Sequence, residues 1–146
     1  MNKKPLDYKN IIITAIAVVI GASVSNAVFL KMGKPTFDEK LMEVAKEFNK
    51  QLPMMIDSHT RYDAMMALPN NTLAHMYTLI HVSVDESDVN ISEIETVIRA
   101  QLLNFIKTSS DMKLFRDKKV TFVYLYRDKD GKEIIKFTFD YNDYKE

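Results

Sequence analysis

Ser58, His59 and Asp63 are the three side-chain types of a serine-hydrolase triad, and they stand within six positions of one another. A working triad is a spatial arrangement presented by separate elements, with the nucleophile commonly on a glycine-flanked elbow. Here Asp57 and His59 flank the serine. Turn and strand-entry chemistry accounts better for these residues, and no catalytic residue is expected. His75 and His81 fall on one face of a single expected strand, but at about 3.3 Å per residue they lie about 20 Å apart, too far to share a metal. They read as surface or edge residues. Met54, Met55, Met65, Met66 and Met76 crowd the same region as His75, and soft thioethers are Cu(I) donors. Without a tight M-x-M or M-x-x-M cluster they read as gap fillers of a core. Asp128, Asp130 and Glu133 echo a calcium loop, yet an EF-hand needs acidic residues where Tyr126 and Phe137 stand, so the stretch is an Asp-Gly hairpin turn. No metal site and no cofactor are expected.

The most unusual stretch runs from Pro53 to Asp63, Pro-Met-Met-Ile-Asp-Ser-His-Thr-Arg-Tyr-Asp. Asp57, Arg61 and Asp63 have the chemistry of a charge-assisted cluster, which either pins a helix-to-strand connection or holds a ligand. Met54, Met55, Asp57, Thr60, Arg61 and Asp63 are therefore the binding candidates.

Charge and composition narrow the function classes. The chain of 146 residues is formally neutral, with 20 basic and 20 acidic residues. Five lysines and one aspartate lie at or before Lys34, which leaves 15 basic and 19 acidic residues, about −4, beyond it. A net acidic domain disfavours nucleic acid as a partner, since phosphate binding needs a clustered positive surface. The absence of cysteine excludes disulfides, thiolate nucleophiles, thiolate metal sites and a lipidated N-terminal cysteine.

Ile11 to Leu30 carries no formal charge, and about 20 residues at 1.5 Å each match a hydrocarbon core of about 30 Å. It reads as a single-pass transmembrane helix. The same stretch parses as a signal peptide, with Lys3, Lys4 and Lys9 before the apolar core and Ser25-Asn26-Ala27 as a cleavage site. The lysine bias favours a cytoplasmic N-terminus. The expected organisation is 1–10 cytoplasmic, 11–30 membrane helix or signal peptide, 31–36 linker and 37–146 an extracytoplasmic domain. That places the domain on the periplasmic side of the inner membrane, or free in the periplasm or medium after cleavage at Ala27.

The domain must position the Pro53–Asp63 stretch between a helix and a strand. Thr36 and Glu39 form a capping-box pattern, followed by Phe37, Leu41, Val44, Ala45, Phe48 and Leu52 on one helical face. Pro53 ends that helix. Strands are expected at about 60–67 and 72–82, joined by a turn at Leu68-Pro69-Asn70-Asn71. Ser92 and Glu95 give a second capping box ahead of Ile94, Val97, Ile98, Leu102, Phe105 and Ile106. Val120, Phe122, Tyr124 and Tyr126 alternate, as do Ile135, Phe137, Phe139 and Tyr141 after the turn. The fold class is α+β, in the order α-β-β-α-β-β, with a four-stranded antiparallel sheet and both helices on one face.

In this stretch the chain resembles a family of small, mostly uncharacterised bacterial exported or membrane-anchored proteins. They share an Asn-x-x-x-Pro-Met-Met-apolar-Asp-x-x-Thr-Arg-x-Asp motif, matched here by Asn49, Pro53, Met54, Met55, Ile56, Asp57, Thr60, Arg61 and Asp63. The likeness continues in Tyr77-Thr78-Leu79, Asp111-Met112 and Val120 to Gly131. The resemblance implies export and a shared fold, and no reaction. Family members often carry a cysteine just before the Asp-Met pair, where this chain has Ser109-Ser110.

These readings point to a non-catalytic, membrane-anchored envelope protein acting as a protein-interaction or accessory module with a protein partner in the bacterial envelope. The competing class is a small exported ligand-binding or enzymatic domain with a site around Asp57, Arg61 and Asp63. A pocket converging on those three side chains separates the two.

Overall fold

The computed structural model describes residues 36–85 and 90–145. Ile11–Leu30 and its cleavage site lie outside them, as do most of the acidic loop at 85–88. Among the described residues no helix is long and apolar enough to cross a membrane.

Helix α1, Phe37–Asn49, begins at the expected capping box, with Thr36 and Glu39 each bonding the other's backbone N–H. Leu41, Val44, Ala45 and Phe48 are its buried face. The chain turns at Lys50 and Gln51, passes a cis Leu52–Pro53 bond and pairs Met54–Met55 as a short strand, β1, that the sequence pattern did not reveal. Strands β2, Thr60–Leu68, and β3, Thr72–Leu79, form the expected hairpin. Asn70 and Asn71 take positive φ at its turn, a conformation asparagine tolerates better than most side chains.

Helix α2, Ile91–Thr108, starts from Asn90, whose side chain accepts from the Glu93 N–H at 3.3 Å. The Ser92–Glu95 box is not used: Asn90 is as good a cap, and starting there brings Ile91, which packs against the core, into the first turn. A single 3₁₀ turn, Ser110–Met112, and a short helix α3, Lys113–Asp117, lead into β4, Thr121–Asp128, and β5, Glu133–Phe139. The alternation does not carry through to Tyr141. Asp140 caps a last helix, α4, Tyr141–Tyr144, which leaves Tyr141 39% exposed and buries Tyr144 instead.

The domain is α+β, with four helices and one five-stranded mixed sheet ordered β1-β2-β3-β4-β5. The expected four-stranded antiparallel sheet is corrected at one junction, because β3 and β4 pair in parallel, Thr72 opposite Thr121 through Leu79 opposite Asp128. The reason is length. Helix α2 has 18 residues, about 27 Å, and β3 has 8, about 26 Å. The helix thus carries the chain back along the whole strand, and β4 starts where β3 starts. Thr121 N–H donates to Asn71 C=O at that end, 2.9 Å.

The register puts two kinds of residue on opposite faces. Inward, Leu73, Phe122 and Phe139 form one row, His75, Tyr124 and Phe137 a second, and Tyr62, Tyr77, Tyr126 and Ile135 a third. All are buried under the helices. The helix-to-sheet ring contacts, Phe48 on Tyr62, Phe115 and Tyr144 on Phe122 and the Arg99 guanidinium over Phe139, all fall on this face.

His75 corrects the sequence reading, because it is 3% exposed in the middle of the core. Its ring stacks on Tyr124 at 4.8 Å, and its Nδ1 meets the Tyr62 hydroxyl at 2.6 Å. Tyr77 stacks on the Tyr62 ring at 4.6 Å. Position 75 has the same parity as Leu73 and Tyr77, and that alternation was the signal for an inward side chain. Burial raises the hydroxyl pKa of Tyr62, Tyr77, Tyr124 and Tyr126 well above the ordinary range, with repulsion from neighbouring tyrosines adding to it for the first three. Burial also lowers His75 to about 3.

The folded state therefore keeps His75 neutral, whereas an unfolded chain protonates it near 6.5. Stability from this residue is complete above that value and falls as pH drops toward about 3, by up to about 1.4 kcal/mol per pH unit. Urea unfolding between pH 7 and pH 4 is expected to show a shallower loss for His75→Gln, whose carbonyl accepts from Tyr62 without titrating. Equal pH slopes in the two proteins would place the acid sensitivity elsewhere.

Candidate functional site

Two regions qualify as functional surfaces, the motif turn and the outer face of the sheet. The motif is built as an edge seal. Asn49, at the end of α1, donates from Nδ2 to the Met65 C=O and accepts at Oδ1 from the Met65 N–H, each at 2.8 Å. An amide side chain thereby pairs with β2 as a neighbouring strand residue would, beyond the point where β1 stops. Met54 pairs with Tyr62 and Met55 with Arg61. Asp57 Oδ1 accepts from the N–H groups of His59 and Thr60 at 2.7 and 2.8 Å, and Ile56 N–H donates to Thr60 C=O, closing the turn into β2. The register slips between Tyr62 and Ala64. At that bulge the Asp63 carboxylate accepts from Arg61 Nε and, at 2.5 Å, from the Thr78 hydroxyl.

The expected trio thus divides. Arg61 and Asp63 meet, and Asp57 works separately as a turn cap. Ser58 is exposed, and Asp63 is engaged by Arg61 and Thr78 instead of by His59. His59 meets His81 edge-on at 5.3 Å, and His81 lies beyond the end of β3. Three buried atoms at the turn, Asp57 Oδ2, His59 Nδ1 and Thr60 Oγ1, have no hydrogen-bond partner. Asp57 is also near enough to Tyr126 for its charge to raise that hydroxyl further, second to burial.

The outer face, expected from the alternation only as the exposed side of the sheet, is mainly apolar. Its rows are Met55, Arg61, Thr78, Arg127 and Glu133; then Ala64, Met76, Leu125 and Lys136; then Met66, Ala74, Val123 and Thr138. No described helix packs there. Met66 is 43% and Met55 47% exposed, while Met76, Val123 and Leu125 are half-buried. Of the five methionines read as core fillers, Met65 alone is fully in the core; Met54 packs against it from the edge. The result is an apolar strip on a sheet face that no described helix covers, rimmed by Arg61, Asp63, Arg127 and Lys136. Flexible, polarisable methionines suit a surface that fits itself to a partner.

At the same end of the sheet as the motif turn, Asp128 anchors the β4–β5 hairpin. Burial pushes its carboxyl up, but the N–H groups of Val84, Lys132 and Asp130 and the Lys132 charge outweigh this, so it lies below the usual range. The loop that echoed a calcium site spends this carboxylate on backbone donors.

Asn49→Ala is expected to cost about 1–2 kcal/mol, the worth of two lost backbone bonds at a partly solvated edge. Arg61→Ala is expected to cost under about 1 kcal/mol, since its ion pair is substantially exposed. Urea titrations rank the two; a larger loss for Arg61→Ala would move the motif's structural role from the amide to the ion pair.

Three solved structures share this fold. A candidate secreted protein of Pseudomonas aeruginosa is 15% identical with a TM-score of 0.57, over 76% of this chain and 98% of its own. The type II secretion system pilotin AspS of Vibrio cholerae is 9% identical with a TM-score of 0.52, over 84% and 96%. The type 2 secretion system pilotin EpsS of Vibrio vulnificus is 9% identical with a TM-score of 0.56, over 86% and 99%. At these identities the likeness is one of fold. No curated protein sequence matches the chain. The sequence profile of one family, described as a domain of unknown function, DUF8479, matches residues 36–136, a span that holds both the motif turn and the outer face, and the chain belongs to that family.

Proposed function

We propose that this protein is a non-catalytic accessory module of the bacterial envelope that presents the outer face of its sheet to a protein partner. The observation that carries the reading is the strip of Met55, Met66, Met76, Val123 and Leu125 on a sheet face that no described helix covers. Arg61, Asp63 and Met55 of the motif form one border of that strip, which gives part of the motif a place in the same surface. Met54, Asp57 and Thr60 hold the border in register. The export signal read in Ile11–Leu30, the shared motif of exported proteins and the fold held in common with two secretion-system pilotins and a candidate secreted protein support the envelope setting. In this reading Ile11–Leu30 either anchors the domain on the periplasmic side of the inner membrane or is removed after Ala27.

The three unpartnered atoms of Asp57, His59 and Thr60 favour a second reading, a small polar ligand at the turn. Against it, Asp57 and Arg61 do not converge on a common point, and most of the turn's donors and acceptors are used internally.

Cross-linking and affinity capture of the full-length protein from membranes is expected to recover one dominant partner, lost when Met66→Glu and Leu125→Lys are combined. These are half-exposed or exposed positions, so thermal unfolding should stay close to wild type. A partner retained by the double variant, or none recovered with either protein, removes the proposal. The mass of the mature chain then locates it: a start at Val28 means cleavage, an intact start means an anchor, and recovery of intact protein in the cytosolic fraction contradicts the envelope setting.

A further inference from the structure

We infer that the concavity between the end of α2, helix α3 and helix α4 is a binding site for a multiply charged phosphate-bearing anion. It encloses about 580 Å³ and is walled by Lys107, Lys113, Arg116, Lys119 and Lys145, with Asp117 the one carboxylate among its lining residues. Beyond Lys34 the chain carries 15 basic against 19 acidic residues, so a third of the domain's cations gather in one hollow of an otherwise acidic domain. Mutual repulsion among them is tolerable at a cavity wall when a counter-anion sits between them.

The geometry is held from behind. Arg116 Nη1 donates to the C=O groups of Ile106 and Ser109, both at 2.7 Å, which fixes the guanidinium where α2 ends. The Tyr144 hydroxyl donates to the Val120 C=O at 2.7 Å and ties α4 to the start of β4. Lys113 pairs with Asp117 at 2.6 Å and Lys145 donates to Asn142 Oδ1 at 3.0 Å, and the described lining residues hold no further carboxylate. A guanidinium and ammonium groups lining one cavity are donors that suit phosphate oxygens.

Lys119 supplies a second, independent observation. Helix α3 ends with Lys118 and Lys119 donating to the C=O groups of Leu114 and Arg116, and Lys119 has φ 55°. That is the left-handed position where helices most often place glycine. The chain instead keeps a lysine there, its ammonium 4.8 Å above the Tyr141 ring at the cavity wall. Glycine is the less strained residue at this φ, so the Lys119 side chain can be removed there without loss of backbone stability.

The inference stands apart from the partner reading, since it lies on the helical side of the domain, away from the outer sheet face. The test is a calorimetric titration of the full chain, in zwitterionic detergent, with inorganic pyrophosphate. Saturable binding at one site is expected, weakened by raising sodium chloride. Lys119→Gly and Lys145→Gln should each weaken it about fivefold or more, the factor a single charge-assisted contact carries. Lys119→Gly should keep or raise the melting temperature, so lost binding is not lost folding. Lys46→Gln, on the exposed face of α1, should bind as wild type. Competition by dihexanoyl phosphatidylglycerol identifies a lipid headgroup as the source of the phosphate, and its failure to compete identifies a soluble phosphate compound; both keep the site. No saturable heat, binding unchanged in Lys119→Gly, or equal competition by dihexanoyl phosphatidylcholine overturns it.

Discussion

The parallel pairing of β3 with β4 is the constraint from which the rest of the domain follows. Two antiparallel hairpins are each set locally by their turns, but their junction is set by α2, whose length carries the chain from the end of β3 back to the end of the sheet where β3 began. Once Thr72 stands opposite Thr121, every row of the sheet is fixed. Tyr77 meets Tyr126, His75 meets Tyr124, and the two helical segments before and after the crossover are confined to the inward face. A slip of one residue would exchange the Tyr-His core for Met76 and Leu125. The outer strip and the aromatic core are thus two consequences of one register.

The motif turn is subordinate to that register and protects it. Strand β2, Thr60–Leu68, would otherwise present an open edge, a template for pairing with other chains. Two residues of β1 and the amide of Asn49 cover part of it, and Asp57 fixes the turn between them. A short edge strand, a bulge and an inward-reaching amide are familiar ways of blunting a sheet edge. The same turn brings Arg61 and Asp63 to the border of the outer strip.

Much of this was legible in the residues. The capping box at Thr36, the buried stripes of both long helices, the two hairpins and the inward alternation of Phe122, Tyr124, Tyr126, Ile135, Phe137 and Phe139 all follow from local periodicity and turn chemistry. What local pattern lacks is the relation between hairpins. Parallel and antiparallel junctions use identical strands, so the mixed sheet could not be read from alternation alone. His75 was misplaced because a polar type was weighed above its parity, and the structure satisfies one ring nitrogen with a tyrosine hydroxyl. Asn49 stood in the motif without a role because its partner, Met65, is sixteen residues away. The outer strip and the basic hollow needed the register and the helix ends, since their residues are scattered along the chain.

The functional account rests on the claim that the outer face is covered by a partner in the envelope while the helical face remains outward. Site-specific photocross-linking in cells tests it most directly. With a photoreactive side chain at Met66 or Leu125, the account predicts one discrete adduct of a single added mass. The same group at Lys46, on the exposed face of α1, should give none. Adducts from Lys46 equal to those from the outer face, or an outer face that captures nothing, would contradict the account.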